Sequence, residues 1–404
     1  MAERSLAGQV RFDIAAGGTP TPRRLLQGFV LLGAMLLAAC ARVVPPSAPP
    51  PPPPPTQQPD VTQGLPTDAE RHRIALLVPM SGANAGVGRS LANATTMALL
   101  DTKTERLRVT TYDTGRDPAG AARKAVAEGN KLILGPLTAD EVRAVAPIAR
   151  TANVPVLSYS NDESVAGNGV YLLGYSPEQS VERVVRFARA RGLNDFAALV
   201  PRGVYGERAG AAFLNEVKAA GGTVVGMETF DRSANSVQAA VQRLSASSSY
   251  DALLIADVGR IALQAAPLVR ASGGAEARIL GTELWATESG LSASTALRGA
   301  WYASVSDGLY RTLASKYRST YGTAPYRLAS LGYDSVLLAV RIAQDWKPGT
   351  AFPARRLTDS EGFAGIDGAF RFGKDGIAER ALEVQQVGAT GSTVVDAAPK
   401  GFGR

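Results

Sequence analysis

Short apolar runs alternate with amphipathic stretches along most of the chain. The run Ile74–Val78 is apolar at five consecutive positions, which is typical of a parallel strand covered on both faces. Similar runs predict strands at Arg108–Tyr112, Leu132–Leu134, Val156–Ser158, Phe196–Val200, Thr223–Met227, Leu253–Ile255 and Arg278–Leu280. The stretches between them predict helices up to about Asp101 and at Ala119–Glu128, Ala139–Thr151, Pro177–Ala190, Glu207–Ala220, Val237–Leu244 and Ile261–Ala271. This alternation indicates an α/β protein with doubly wound parallel sheets.

A different apolar run, Leu25–Leu37, lies near the amino terminus. Arg11, Arg23 and Arg24 precede it and small residues follow it, as in a secretory signal. A transmembrane anchor is the weaker interpretation, because the run is shorter than the roughly twenty apolar residues that cross a bilayer as a helix. We therefore interpret residues 1–39 as a signal peptide.

Cys40 is the only cysteine, and it ends the string Leu37-Ala-Ala-Cys40. An unpaired thiol does not fit a secreted disulfide framework. The string resembles the lipobox of bacterial lipoproteins, which implies cleavage before Cys40 and attachment of lipid to its sulfur. Ala41 follows, and not the aspartate that retains some lipoproteins, so the resemblance implies a periplasmic protein anchored to the outer membrane by lipid.

The segment from Cys40 to residue 72 is predicted to be a disordered spacer. It is rich in proline, with seven consecutive prolines at Pro49–Pro55, and it has almost no residues that could form a core. Such a segment favours extended polyproline II geometry, at about 3.1 Å per residue. It is either a passive tether or a spacer that lets an anchored domain act up to about 90 Å from the membrane, at the same rise per residue.

The remaining chain has the composition of a globular protein, with 45% hydrophobic and 20% charged residues overall. Loss of residues 1–39 removes four arginines and two acidic residues, so the formal charge falls from +7 to +5. Because the basic residues are scattered, nucleic-acid binding has little support.

Enzymatic interpretations also have little support. The only histidine, His72, stands at the edge of the spacer, which argues against a Ser/His/Asp triad and against a histidine-based metal site. Gly82, Gly86 and Gly88 are interpreted as loop glycines, because no Lys-Ser or Lys-Thr follows and the third Rossmann glycine is absent. The scattered acidic residues leave a paired-carboxylate hydrolase open. We predict no catalytic residue, metal site or cofactor.

The order and spacing of several motifs resemble the type I periplasmic binding proteins of the leucine/isoleucine/valine-binding kind. The motifs are Ile74–Gly82, Tyr112-Asp113, Asp117-Pro118, Leu134–Thr138, Val154–Ser158, Tyr205-Gly206, Gly332–Ser335 with the helix Val336–Ala343, and Phe363–Phe372 with Asp375-Gly376. The resemblance implies two lobes joined by three crossings, with a ligand between them. The implied boundaries are residues 73–175 with 304–362 for the first lobe, 176–303 with 363–393 for the second, and a flexible tail at 394–404.

The resemblance also implies candidate ligand contacts. Thr138, Ser158 and Ser160 follow strands at positions where the family holds a ligand carboxylate. Tyr205 matches a tyrosine that closes over the ligand from the other lobe. Each has a structural alternative, because Ser and Thr after strands are common helix caps and Tyr205 could simply pack.

Two later acidic residues complete the set. Asp257 and Glu283 end strands where the family places groups that meet a ligand amino group. The first ligand loop, however, lacks the serine run of the transport members and carries Asp140, whose charge competes with an anionic ligand at a helix N-terminus.

Two functions from different classes remain open. The lipobox, the spacer and the altered loop resemble the outer-membrane lipoprotein activators of penicillin-binding proteins, which implies contact with a peptidoglycan synthase. The alternative is the substrate-binding lipoprotein of an ABC importer for branched-chain amino acids or amides, whose partners would be a permease and a small amino-acid-like ligand.

Overall fold

The first strand begins at His72, and its neighbours explain the apolar run that follows. Ile74, Leu76 and Val78 enter one hydrophobic core, and Ala75 and Leu77 enter another on the opposite face. A strand buried on both faces needs apolar side chains at odd and even positions alike. The computed structural model describes residues 70–247 and 249–402, so the predicted leader, Cys40 and the spacer up to residue 69 lie outside the described residues.

The described elements alternate as the sequence predicts. In chain order the strands are β1 (His72–Val78), β2 (Leu107–Asp113), β3 (Leu132–Leu134), β4 (Val156–Ser158), β5 (Val170–Leu172), β6 (Asp195–Pro201), β7 (Thr223–Phe230), β8 (Ala252–Ile255), β9 (Arg278–Gly281), β10 (Trp301–Ser304), β11 (Phe363–Gly365), β12 (Gly368–Phe372), β13 (Ala378–Arg380), β14 (Glu383–Val387) and β15 (Ser392–Asp396). The α-helices are α1 (Ala85–Thr102), α2 (Pro118–Ala127), α3 (Ala139–Thr151), α4 (Pro177–Ala190), α5 (Val204–Ala219), α6 (Ala234–Ser247), α7 (Gly259–Ala271), α8 (Gly308–Tyr321) and α9 (Ala329–Ala343). Within the described ranges, no helix is both long and apolar enough to span a bilayer.

Two sheets organise the two lobes. The first is parallel throughout, in the order β2-β1-β3-β4-β5. The second has the order β15-β14-β10-β9-β8-β6-β7, in which β14 runs antiparallel to β10 and β15 runs antiparallel to β14. The predicted fold class, α/β with doubly wound parallel sheets in two lobes, is confirmed.

The chain crosses between the lobes three times. The first crossing lies between β5 and α4, and the second between β10 and α8, close to where the sequence predicts them. The prediction that residues 363–393 belong to the second lobe is wrong for the first part of that range. Strands β11 to β13 form a separate sheet, and Phe363, Phe370 and Phe372 lie in the core of the first lobe. The third crossing therefore follows β13.

Three smaller sequence expectations also need correction. His72 is not part of the spacer: it is buried in β1 and stacks on Trp346 with a centroid distance of 3.8 Å. Gly86 and Gly88 lie in α1, and only Gly82 is in the loop. A Cβ at position 88 would lie 1.9 Å from the Pro79 carbonyl oxygen, so a glycine is needed there for α1 to pass this close to the loop. Strand β15 extends into the range expected to be a tail.

A buried group of charged residues connects the three crossings. Arg327 Nη1 is 2.8 Å from Asp367 Oδ1, and Nη2 is 3.5 Å from Asp307, which follows the second crossing. Tyr175, at the first crossing, donates to Asp367 Oδ2 at 2.5 Å. Arg380, at the third crossing, lies 4.9 Å from the ring of Tyr175. We call these five residues, together with Asp334 of α9, the crossing cluster.

Asp334 is the acid that the crossing cluster does not balance. Arg327 and Arg380 supply two positive charges, whereas Asp307, Asp367 and Asp334 can supply three negative ones, so the acids of the crossing cluster exceed the bases by one. Asp334 accepts a 2.6 Å hydrogen bond from the backbone N–H of Ile366. Burial, and then the neighbouring Asp367, raise the pKa of Asp334 well above its usual range. The crossing cluster is therefore neutral when Asp334 is protonated.

A second polar contact joins the lobes beside the first crossing. Arg208 of α5 binds Glu178 of α4 with two hydrogen bonds of 2.7 Å in the second lobe. Its guanidinium also donates to the carbonyl oxygen of Asn161 and lies 3.3 Å from Glu163, both in the first lobe. Ser176 donates to Glu163 at 2.8 Å in the same group. Arg208 thus bridges the two lobes, and we call it the interlobe arginine.

Asp334→Asn is expected to make stability less dependent on pH. Since the folded pKa of Asp334 lies above its unfolded value of about 3.9, its stabilising contribution is present below that value and is lost as pH rises toward the folded pKa. The amide keeps the acceptor for Ile366 and cannot ionise. Urea unfolding between pH 4 and 8 should show the variant gaining stability relative to the wild type as pH rises.

Arg327→Met provides the contrasting variant. It leaves Asp367 buried without its 2.8 Å partner, so it should lower the free energy of unfolding by about 3–5 kcal/mol at neutral pH. Arg318→Met on the exposed side of α8 is the control and should change little. If the free energy of unfolding of Asp334→Asn changed with pH in the same way as that of the wild type, the raised pKa of Asp334 would be contradicted.

Arg208→Ala is expected to shift the lobes toward an open arrangement. The variant removes charge-assisted hydrogen bonds that exist only when the lobes are together, and such bonds contribute about 1.5–3 kcal/mol each. Small-angle X-ray scattering should report a larger radius of gyration. Arg202→Ala is the matched control, because Arg202 is paired only with Asp231 of its own lobe among its ion pairs. Equal radii for Arg208→Ala and the control would refute the bridging role.

Candidate ligand-binding cleft

A cleft of about 790 Å³ lies between the lobes, at the carboxyl ends of the parallel strands. This is where open α/β sheets bind ligands, and the volume falls within the range of small-molecule sites, roughly 300–1,000 Å³. The apolar side chains that line it come from both lobes: Val87, Leu137, Ala139, Val204, Leu284, Ala286, Val305 and Leu328. The polar and charged side chains are Asn84, Thr138, Asp140, Arg143, Tyr159, Ser160, Asn161, Asp162, Tyr175, Glu283, Thr287, Ser304 and Arg327.

Thr138 lines the cleft, but its hydrogen-bonding groups are occupied by its own helix. It is the N-cap of α3, and its hydroxyl oxygen accepts from the N–H of Glu141 at 3.3 Å. Glu141 Oε2 in turn accepts from the Thr138 N–H at 2.8 Å and from its hydroxyl at 3.0 Å. This is a capping box, which the sequence Thr-x-x-Glu specifies.

The two serines after β4 have different positions. Ser158 is fully buried and does not line the cleft; it donates to the Pro136 carbonyl at 2.9 Å and accepts from the N–H of Ser160 at 3.0 Å. Ser160 lines the cleft, and its hydroxyl accepts from the Asp162 N–H at 3.1 Å. Ser158 therefore shapes the turn that presents Ser160.

Glu283 reaches the cleft from the second lobe, after β9. Ser180 donates to its Oε2 and the Tyr205 hydroxyl donates to its Oε1 at 3.2 Å. Burial raises the pKa of Glu283 to about 7. Tyr205 does not itself line the cleft: its hydroxyl lies 2.9 Å from Thr282 and supports Glu283 from behind. The Glu283 carboxyl group is thus held by neutral hydroxyl partners of its own lobe among the hydrogen bonds of the described residues.

Asp257 lies away from the cleft. Its side chain is fully buried. Arg232 Nε donates to both carboxylate oxygens, at 3.0 Å to Oδ1 and 2.8 Å to Oδ2, and the Val258 N–H donates to Oδ1 at 2.8 Å. A carboxylate that is already paired in this way has no free acceptor directed toward a ligand amino group. The structure therefore brings Thr138, Ser160 and Glu283 to the cleft and places Ser158, Tyr205 and Asp257 behind it.

Two arginines that the sequence did not single out also line the cleft. Arg143 is held by Asp140 at 2.8 Å and by Asp162 at 3.3 Å. Arg327 belongs to the crossing cluster and is held there by Asp307 and Asp367. The sequence could have indicated Arg143, because it stands three residues after Asp140 on a predicted helix and such residues form ion pairs. It gave no comparable indication of Arg327, which lies in a turn. Each of these guanidinium groups is matched by two carboxylates.

Comparison with solved structures shows the same fold in other bacterial proteins. The chain aligns with the leucine-binding protein LivK of Thermotoga maritima at a TM-score of 0.59 and 20% identity, covering 81% of this chain and 98% of that one. It aligns with a putative branched-chain amino acid ABC transporter protein of Rhodospirillum rubrum at a TM-score of 0.69 and 19% identity, covering 80% and 100%. These identities establish likeness of fold.

Comparison with curated proteins gives partial matches, including the following two. Uncharacterized protein RP748 of Rickettsia prowazekii is 26% identical over 175 residues, which is 43% of this chain and 47% of that protein. The penicillin-binding protein activator LpoA of Yersinia pseudotuberculosis is 30% identical over 124 residues, which is 30% of this chain and 19% of LpoA. The chain thus spans less than half the length of the curated relatives it matches.

A family model covers most of the chain. The model described as periplasmic binding protein matches residues 72–392, which is more than three quarters of the sequence and includes both lobes and the cleft. The two lobes and their parallel sheets agree with the type I form of this family. The chain belongs to the periplasmic binding protein family, type I.

Proposed function

We propose that this protein is a non-enzymatic, lipid-anchored periplasmic regulator that activates a peptidoglycan synthase of the penicillin-binding class. The observation that carries the proposal is that the Glu141 carboxylate accepts hydrogen bonds from the N–H and the hydroxyl of Thr138, at 2.8 and 3.0 Å. The family resemblance assigns these donors to the carboxylate of an amino-acid ligand. A protein that satisfies them internally is poorly suited to be an amino-acid receptor.

The relatives and the chain before the lobes support the same proposal. A segment of 124 residues is 30% identical to a penicillin-binding protein activator. The string that ends in Cys40 and the proline-rich segment after it would place the lobes at a distance from the outer membrane, up to about 90 Å at 3.1 Å per residue. A freely diffusing receptor has no need of an anchor, whereas a regulator that must reach a synthase across the periplasm does.

The second candidate is the substrate-binding lipoprotein of an ABC importer for branched-chain amino acids or amides. The cleft of about 790 Å³ with its apolar lining favours this candidate, since it has the size and character of a small-molecule site. The solved neighbours include proteins described as leucine-binding and branched-chain amino acid transporter proteins. The two candidates differ in what the protein must bind.

The test reconstitutes the full-length lipidated protein in vesicles with a penicillin-binding protein from the same cell. We expect co-sedimentation of the two proteins and faster peptidoglycan synthesis by the synthase. Cys40→Ser is the matched control for the anchor: it should leave the membrane fraction while its lobes still bind the synthase in solution.

Leucine, isoleucine, valine and their amides are titrated in parallel by calorimetry. Submicromolar binding of any of these ligands, together with no binding of the synthase, would reject the regulator and favour the importer. If Cys40→Ser protein still sediments with membranes, the lipid anchor is wrong whichever partner is found.

A further inference from the structure

We propose that the two lobes close with the uptake of one proton, which Glu163 and Glu178 share beside the first crossing. Glu163 belongs to the first lobe, and Glu178 stands in the first turn of α4 in the second. This closure needs neither the synthase nor a ligand in the cleft. It follows from the number of protons that the hydrogen bonds between the two acids require.

The Ser176 hydroxyl lies between the two carboxyl groups. Its oxygen is 2.8 Å from Glu163 Oε1 and 2.5 Å from Glu178 Oε2. Both are distances of O–H···O hydrogen bonds, and each such bond needs a proton of its own. A serine hydroxyl carries one proton, whereas an ionised carboxylate only accepts. The second proton must therefore come from one of the two acids, so the pair holds a proton when the lobes are together.

The interlobe arginine does not replace this proton. Arg208 binds Glu178 with two hydrogen bonds of 2.7 Å, and its Nη2 lies 3.3 Å from Glu163. One positive charge thus faces two acids. Burial raises the pKa of Glu163, and so does the charge of Glu178. Both effects favour a proton that the pair retains in the closed arrangement.

The charged groups around the pair do not supply a further positive charge. In the first lobe, Asp162 and Asp140 share Arg143, at 3.3 and 2.8 Å. In the second lobe, Glu283 is close enough to Glu178 that the charge of Glu178 adds to burial in raising the pKa of Glu283. Acids therefore outnumber arginines among the described residues around the contact, and a retained proton reduces their repulsion.

Separation of the lobes breaks the shared bond. Glu163 moves with the first lobe, and Glu178 remains with Arg208 in the second. A glutamate in water has a pKa of about 4.3, so the proton is released above that value. The closed arrangement has the higher pKa. Its stabilisation by the proton is complete below about pH 4.3 and is lost as pH rises toward the closed-state pKa.

The experiment measures the distance between the lobes by fluorescence resonance energy transfer. Dyes are attached at Arg89→Cys in the first lobe and Asn235→Cys in the second, both at exposed positions, in the full-length Cys40→Ser protein. We expect the ratio of closed to open molecules to fall between about pH 4.5 and 8. The slope should approach about tenfold per pH unit, as for one proton. A ratio that does not change with pH would overturn the proposal.

Glu163→Gln tests which groups hold the proton. The glutamine amide keeps the size of the side chain and gives Ser176 a permanent donor, so the variant should remain closed with a slope near zero. Glu276→Gln, which removes an exposed carboxylate before β9, is the matched control and should keep the wild-type slope. A Glu163→Gln protein with the wild-type slope would refute the role of the acid pair.

Ser176→Ala removes the bridging hydroxyl and leaves both acids in place. Without the bridge the closed arrangement binds the proton less tightly, so the pH at which the lobes open should be lower than in the wild type. If Ser176 only packed at the crossing, its loss would leave this pH unchanged. An unchanged opening pH would therefore show that the hydroxyl does not join the two acids.

Asp334→Asn separates this contact from the crossing cluster. Asp334 also has a raised pKa, but it is bonded to the backbone of Ile366. The variant should keep the wild-type slope of closure, although its stability depends less on pH. Loss of the slope in Asp334→Asn would place the proton in the crossing cluster and overturn the proposal for Glu163 and Glu178.

Discussion

The two lobes depend on buried charges at the place where the chain passes between them. Arg327 is a guanidinium removed from water, and Asp367, Asp307 and the Tyr175 hydroxyl surround it. Buried ions of this kind contribute little net stability compared with apolar packing, but removal of one partner is costly. The residues of the crossing cluster come from all three crossings, so any displacement of one crossing separates charges that have no alternative partner. This constraint fixes the relative geometry of the strand ends that form the cleft.

The interlobe arginine adds a contact of a different kind. Arg208 and Arg327 are buried to a similar degree, with 17% and 13% of their side chains exposed, but Glu163, a partner of Arg208, is 34% exposed whereas Asp367 is fully buried. Partly exposed ion pairs exchange with water at small cost, whereas buried pairs do not. The crossing cluster is therefore suited to hold a hinge in place, and the interlobe arginine is suited to open and close. The cleft lies between a rigid contact and a releasable one.

The sequence predicts the fold where burial alone determines the pattern. Strands such as β3 and β4 and helices such as α3 and α4 match their predicted bounds, because parallel strands with both faces covered show continuous apolar runs. Strands β5 and β10 and helix α8 were missed; α8 buries only Leu313 and Tyr317, so its apolar pattern is weak. The lobe assignment of β11 to β13 could not be predicted, since which core receives Phe363, Phe370 and Phe372 depends on tertiary packing.

The candidate site shows a sharper limit. A strand followed by Ser or Thr predicts the edge of the sheet correctly, but it does not show whether the hydroxyl points to a ligand or to its own backbone. Thr138 lines the cleft and Ser158 does not, although Thr138 follows β3 and Ser158 ends β4 in the same sheet. Whether the Thr138 hydroxyl is free for a ligand depends on Glu141, which binds it. The sequence indicates this contact, because a glutamate three residues after a threonine is the pattern of a capping box. Glu141, which completes the capping box of α3 with Thr138, therefore occupies the Thr138 N–H and hydroxyl, because one carboxylate cannot leave the same donors free for another.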